Sequence, residues 1–210
     1  SSATLALNSK ATALKLAGTE IFNLSVGELD FDMPEYVKQA GIRAIQNNLN
    51  KYTPVDGTTD LKKAIQQKFL RENNLNYDLP QIIVSTGAKQ SLFNLCQVLL
   101  NPGDEAIIPA PCWVSYPEMV KNTQAHPVFI YTTIEHRYKT TAKQLQNSIT
   151  DKTRLIFLNT PSNPSGVLYS ADELSELAEV LMEHPKIFII SDDIYEHILW
   201  NGIFNNILNV

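Results

Sequence analysis

The strongest constraint on this 210-residue chain is the alternation of short apolar, β-rich runs with stretches of helical periodicity. Gln81 to Ser85, Glu105 to Pro109, Pro127 to Tyr131, Arg154 to Asn159 and Lys186 to Ser191 read as buried strands. Between them, Leu92, Leu95, Cys96 and Leu99 recur at helical spacing, and Leu174, Leu177, Ala178 and Leu181 repeat it, so each set forms one apolar stripe. Ser170 with Glu173 makes a capping box before the second stripe, and Asn101-Pro102-Gly103-Asp104 stops the first. Upstream, Leu61, Ala64, Ile65 and Phe69 mark a helix after a turn at Asp56-Gly57, and Pro34 opens another through Val37, Ala44 and Ile45. Such a pattern predicts a doubly wound α/β domain with a mostly parallel sheet flanked by helices. In that architecture ligands sit at the carboxyl ends of the strands.

Charge narrows the partners. Lys and Arg number 17 against 22 Asp and Glu, a formal net charge of −5, and no basic run is present. The chain therefore carries no electrostatic footprint for nucleic acid or an anionic membrane, which leaves small molecules or another protein. Cys96 and Cys112 are the only cysteines, so a disulfide scaffold is excluded and a reducing, cytoplasmic setting is expected. From Ser1 to Gly18, apolar residues are interrupted by Asn8, Lys10 and Lys15, unlike the continuous apolar core of a signal peptide, and no stretch approaches a membrane span.

The segments that follow the strands are where chemistry is expected. Thr86-Gly87-Ala88-Lys89-Gln90 is a small-residue turn opening the helix of the Leu92 stripe. Helix-terminal amides and the macrodipole suit an anion there, although an ordinary strand-to-helix turn has the same composition. No Walker A and no G-x-G-x-x-G occurs, which disfavours a nucleotide-binding enzyme. Thr160-Pro161-Ser162-Asn163-Pro164-Ser165-Gly166 holds one amide side chain between two prolines, or is simply a turn. Ser191-Asp192-Asp193-Ile194-Tyr195 places a carboxylate pair at a strand's carboxyl end, either as ligands or as a solvated acidic turn. The four histidines show no metal-ligand spacing, and no elbow motif surrounds Ser91 or Ser115.

Six segments, in order, resemble one family: Val26-Gly27-Glu28-Leu29-Asp30-Phe31-Asp32, Lys51-Tyr52-Thr53-Pro54, Thr86-Gly87-Ala88-Lys89-Gln90, Trp113-Val114-Ser115-Tyr116-Pro117, Asn163-Pro164-Ser165-Gly166 and Ser191-Asp192-Asp193-Ile194-Tyr195. They are similar to the motifs of the fold-type I, class I pyridoxal-phosphate aminotransferases, and within these to the bacterial aspartate aminotransferases. The resemblance runs from Ser2-Ala3-Thr4 to Tyr195 and beyond. It implies a fold-type I large domain over residues 34–210, incomplete at its carboxyl end, with residues 1–33 belonging partly to a small domain.

By the same resemblance, Asp192 pairs with the pyridine nitrogen of pyridoxal 5'-phosphate, Tyr195 and Asn163 hydrogen-bond its phenolic oxygen, and Trp113 stacks on the ring. The amides of Ala88 and Lys89 hold the phosphate. Tyr52 reaches the phosphate of a neighbouring subunit's cofactor, which implies a homodimer with shared active sites. Gly27 and Asn163, with Trp113, face the substrate, an amino acid exchanged with a 2-oxo acid. Ser2, Thr4 and Lys89 resemble positions that take a distal carboxylate, so aspartate or glutamate is the expected amino donor.

Leu29, Ala88, Cys112 and Asp193 depart from the usual Pro, Gly, Tyr and Glu, and none of these removes a reacting group. The family's Schiff-base lysine and its substrate-carboxylate arginine have no counterpart in these residues. The chain therefore reads as a fragment of a longer enzyme and, as it stands, as inactive. A β-lyase or decarboxylase on the same scaffold, and a non-catalytic interaction module, are the alternatives.

Overall fold

The computed structural model describes residues 3–24, 27 and 29–210, with side chains in the first helix described from residue 6 onward. It divides into two compact units, Ser1–Thr58 and Thr59–Val210.

The first unit carries two helices, α1 (Ala3–Leu16) and α2 (Glu35–Gln46). Gly18 ends α1 in the left-handed region at φ +85°, its amide bonding Lys15 while that of Thr19 reaches back to Leu14. Pro34 caps α2, where a missing N–H costs nothing. Asn23 Nδ2 donates to Asn8 Oδ1 at 2.7 Å, tying the segment after α1 to that helix. Phe22, Leu24, Phe31, Tyr36 and Leu49 are all exposed.

The second unit is a three-layer α/β domain. After α3 (Thr59–Asn73) and α4 (Ala88–Leu99), strands alternate with helices: β1 (Glu105–Ala110), α5 (Ser115–Asn122), β2 (His126–Tyr131), α6 (Ala142–Ser148), β3 (Thr153–Asn159), α7 (Ala171–Met182) and β4 (Phe188–Asp192). The four strands are parallel in the order β2-β1-β3-β4. Alternate residues of the central strands supply two cores. Ala106, Ile108, Leu155 and Phe157 face Leu92, Cys96, Met119 and Val120 from α4 and α5. Ile107, Ile156 and Leu158 face Leu145, Leu174, Leu177 and Leu181 from α6 and α7. Burying strands on both faces is what their near-continuous apolar runs require.

The Leu92 and Leu174 stripes fall in α4 and α7, and the Ser170 and Glu173 capping box forms. One strand does not form. A 3₁₀ turn occupies Leu79–Gln81, and residues 82–85 run on without a ladder partner among the described residues. Ile82 has extended dihedrals and is buried, whereas Ile83 is exposed, so the β-branched pair dictates extension but no neighbouring strand completes the hydrogen bonds. Helices α1, α5 and α6 were not legible as stripes. For α6 a signal existed: Thr141 and Gln144 form a capping box. At the β4 edge, Phe188 and Ile189 remain 53% and 39% exposed.

Candidate functional site

β1 and β3 are adjacent, yet the chain leaves them in opposite directions, towards β2 and towards β4. This is the switch point at which a doubly wound sheet opens a crevice beyond its carboxyl ends. Three loops converge there: residues 111–114 after β1, residues 160–170 after β3, and residues 193–198 after β4.

The β1 loop leads through a cis Ala110–Pro111 bond to Trp113 and then into α5. Tyr116, in the first turn of α5, is buried, its ring stacked on Phe157 at 4.7 Å and edge-on to Trp113 at 5.4 Å. Its hydroxyl donates to Asp192 Oδ2 at 2.6 Å. Burial, reinforced by the Asp192 charge, pushes the Tyr116 phenol far above its ordinary range, so it stays a proton donor at any physiological pH. Lys89, near the start of α4, places its Nζ 5.0 Å from the centre of the Trp113 ring. A chain of direct contacts thus runs from Lys89 through Trp113 and Tyr116 to Asp192.

In the β3 loop, cis bonds precede Pro161 and Pro164, flanking Asn163. Asn163 Nδ2 donates to the Tyr195 hydroxyl at 3.3 Å. Asn159, the last residue of β3, accepts from the Asn163 backbone N–H at 2.7 Å and donates through Nδ2 to the Asp192 carbonyl at 2.8 Å.

The acidic pair divides its labour. Asp192 turns towards Tyr116, whereas Asp193 accepts from the Ser191 hydroxyl at 2.7 Å and from Asn206. Burial raises the Asp193 carboxyl, and those two hydrogen bonds offset part of the rise. The turn is therefore not a solvated acidic loop. Beyond Tyr195, Glu196 accepts from Lys68 and from Asn73 Nδ2, the latter at 2.7 Å, which ties the turn to the end of α3. Burial opposes the Glu196 charge, but the Lys68 and Asn73 contacts more than compensate and hold its carboxyl below the usual value. Ligand atoms of Glu72, Glu196 and His197 lie within 4.8 Å of one another, a cluster that histidine spacing did not reveal, and the Lys68 ammonium already neutralises part of it.

Gly87 precedes α4 at φ +83°, a conformation that a side chain rarely adopts, and no side chain caps the helix. The amides of Ala88 and Lys89, in the first turn of α4, have no intrahelical acceptor. Ala88, Leu92 and Leu95 form one wall of an apolar groove of about 750 Å³ whose other wall runs from Phe188 to Ile194, so Ala88 and Asp192 border one space.

Of the residues singled out in the sequence, Lys89, Trp113, Asn163, Asp192 and Tyr195 thus stand at the carboxyl ends of β1, β3 and β4 or at the adjoining start of α4, with Ala88 beside them. Gly27 and Tyr52 belong to the first unit, where both are exposed. Ser2 and the side chain of Thr4 lie outside the described residues. Tyr116 and Asn159 were missed. Tyr116 could have been found as the residue one helical turn beyond Trp113, and Asn159 as the polar last residue of an otherwise apolar strand. Cys96 is buried, which pushes its thiol up to about 11, and burial raises Cys112 as well. No helix among the described residues is long and apolar enough to cross a membrane.

Comparison with known proteins assigns this architecture. The chain is 52% identical over 209 residues to the aspartate/prephenate aminotransferase of Nitrosomonas europaea, covering 99% of this chain and 53% of that protein. It is 48% identical over 201 residues to the aspartate aminotransferase of Bacillus sp. (strain YM-2), covering 96% of this chain and 51% of that protein. Among solved structures, the aspartate aminotransferase from Rhizobium meliloti superposes with a TM-score of 0.94 at 47% identity, over 98% of this chain and 52% of its own. The Thermus thermophilus aspartate aminotransferase with maleate gives 0.95 at 40% identity, over 99% and 54%. The chain spans about half the length of the curated relatives it matches. The model of the family described as aminotransferase class I and II matches residues 19–210. With that match, the parallel sheet and the loops gathered at its switch point, the chain belongs to the class I and II aminotransferase family.

Proposed function

We propose that this chain is part of a longer aminotransferase that moves an amino group between an amino acid and a 2-oxo acid on pyridoxal phosphate. The observation that carries the reading is the Asp192 carboxylate, set at the end of β4 and bonded by the buried Tyr116 hydroxyl, with the Trp113 ring against that same tyrosine. The donor set fits the cofactor: a carboxylate for a protonated ring nitrogen, an indole for the ring face, Asn163 and Tyr195 for the phenolic oxygen, and the helix-terminal amides of Ala88 and Lys89 for a phosphate.

When bound, pyridoxal phosphate supplies an electron sink for the bond broken at the substrate Cα. Asp192 keeps a proton on the ring nitrogen, and Tyr116 keeps Asp192 oriented. Asn163 takes the substrate's α-carboxylate, while the Tyr195 hydroxyl steadies the phenolic oxygen. Lys89 takes a distal carboxylate, which favours aspartate or glutamate. Several relatives are named for prephenate beside aspartate. Prephenate is also a dicarboxylate, so one ammonium can serve both.

The same reading assigns residues 1–33 partly to a small domain and residues 34–210 to the large one. It makes the protein a cytoplasmic homodimer in which Tyr52 reaches the partner's cofactor phosphate. The test is a pair of half-reactions on the full-length protein. Aspartate should convert the pyridoxal form to the pyridoxamine form, and 2-oxoglutarate should reverse it, both followed by absorbance. No conversion with any amino acid tried would reject the proposal; elimination or carbon dioxide release in its place would favour a lyase or a decarboxylase.

A further inference from the structure

Asn159 ends β3 and is paired in register with Asp192, the end of β4, in the last rung that the two strands share. Beyond that rung the chains diverge, one into the Asn163 loop and the other into the Asp193 turn. The Asn159 carboxamide spans the gap. Its orientation is dictated by its partners: the Asn163 N–H can only donate and therefore faces Oδ1 at 2.7 Å, and the Asp192 carbonyl can only accept and therefore faces Nδ2 at 2.8 Å. One planar amide thus accepts on one side and donates on the other, as a backbone peptide does inside a sheet, and extends the ladder by one unit made of side-chain atoms.

We propose that Asn159 is a positioning residue that sets the distance between the Asn163 loop and Asp192. The role rests on the aminotransferase reading, in which Asn163 serves the phenolic oxygen and Asp192 the ring nitrogen of one cofactor. Neither contact involves the Asn163 or Asp192 side chain, so Asn159 leaves the reactive groups free while holding the backbone beneath each. Among the described residues the two loops also meet through the side chains of Asn163 and Tyr195, at 3.3 Å, whereas Tyr116 bonds the Asp192 carboxylate; Asn159 is the residue that holds the backbone of both. Leu, which approximates the shape of Asn, abolishes both contacts. Asp keeps the acceptor for the Asn163 N–H and removes the donor to the Asp192 carbonyl.

The experiment uses the full-length protein in three variants, Asn159→Leu, Asn159→Asp and, as a remote control for lost stability, Leu177→Ala in the core beneath α7. Backbone hydrogen exchange is read without cofactor, and the pH midpoint of the bound cofactor's absorbance is read with it. In Asn159→Leu, exchange of the Asn163 amide should accelerate about tenfold while the β1 amides keep their protection. In Asn159→Asp, that amide should stay protected. In both Asn159 variants the midpoint should move by about one pH unit, a tenfold change in proton affinity, and in Leu177→Ala only the melting temperature should fall. Unchanged Asn163 exchange in Asn159→Leu, or midpoints equal to wild type in both Asn159 variants, would overturn the proposal. If Asn159→Leu does not fold, an unshifted midpoint in Asn159→Asp overturns it alone. A wild-type protein that binds no pyridoxal phosphate refutes the functional reading instead, and the exchange arm still decides for or against the bridge.

Discussion

Replacing Tyr116 with Phe removes one oxygen from the centre of the site and almost nothing else. The ring keeps its stack on Phe157 at 4.7 Å and its edge contact with Trp113, so packing is conserved. What is lost is the 2.6 Å hydrogen bond to Asp192 Oδ2. A hydrogen bond to a charged group contributes about 1.5–3 kcal/mol. Asp192 is only half-buried, and water replaces part of the lost contact, which places the net loss at the lower end, about 1.5 kcal/mol. Since 1.36 kcal/mol is about a factor of ten, cofactor affinity and kcat/KM for aspartate should each fall about tenfold in Tyr116→Phe. Equilibrium titration with pyridoxal phosphate and single-turnover absorbance measure the two quantities. Tyr116→Ala differs in kind: it opens a cavity between Trp113 and Phe157 and should cost about 3–5 kcal/mol of folding stability. A Tyr116→Phe enzyme that bound and turned over like wild type would refute the claim that the hydroxyl orients Asp192.

Three further outcomes follow from contacts already described. Asp192→Ala should abolish transamination in the full-length protein. Asp193→Ala, by freeing Ser191 and Asn206, should instead lower stability by about 1–2 kcal/mol and leave cofactor affinity nearly intact, and comparable single-turnover losses would sink this division. Lys89→Ala should lower kcat/KM for aspartate about tenfold or more while sparing a neutral aromatic substrate, and equal losses would show that Lys89 serves the fold through Trp113 rather than the substrate. Glu196→Gln weakens the grip of Lys68 and Asn73 on the turn and should cost about 1–2 kcal/mol near neutrality. The Glu196 carboxyl is held below its ordinary 4.5, so its stabilisation is present above that pH and is lost as pH falls through the lower folded value. The gap between variant and wild type in denaturant titrations should therefore close in acid, and a gap independent of pH would contradict the assignment.

The strands and helices that could be read in the sequence are those whose burial is one-sided or complete. Leu174, Leu177 and Leu181 mark α7 because one face of that helix meets the sheet, and Arg154 to Asn159 marks β3 because both of its faces are covered. Ile82 and Ile83 misled because β-branched side chains determine extension, whereas a strand also needs a neighbour, and no local pattern encodes one. In the site, the loops announced themselves through Pro, Gly and Asn, and Asp192 and Asn163 were legible as polar residues just past apolar runs. Tyr116 was not. Its hydroxyl acts across 76 residues of chain, a pairing that only the tertiary fold creates. Asn159 escaped for a related reason, since its two partners are backbone atoms and leave no trace in residue identity. The contrasting fates of Asp192 and Asp193 were likewise invisible, because adjacent residues at a strand end point to opposite sides.

The order β2-β1-β3-β4 also bears on how far apart in sequence the paired strands lie. β1 precedes the other three described strands in sequence, and both of its neighbours, β2 and β3, come after it. β2 docks on one side of it through the short crossover of α5, β3 follows on the other through α6, and β4 is laid outside β3 through α7. Each of these connections closes a loop of modest length, which keeps the entropy of closure low. Among the described residues, β1 and its two neighbours cover each other, whereas Phe188 and Ile189 on β4 leave apolar surface open for a further partner to cover.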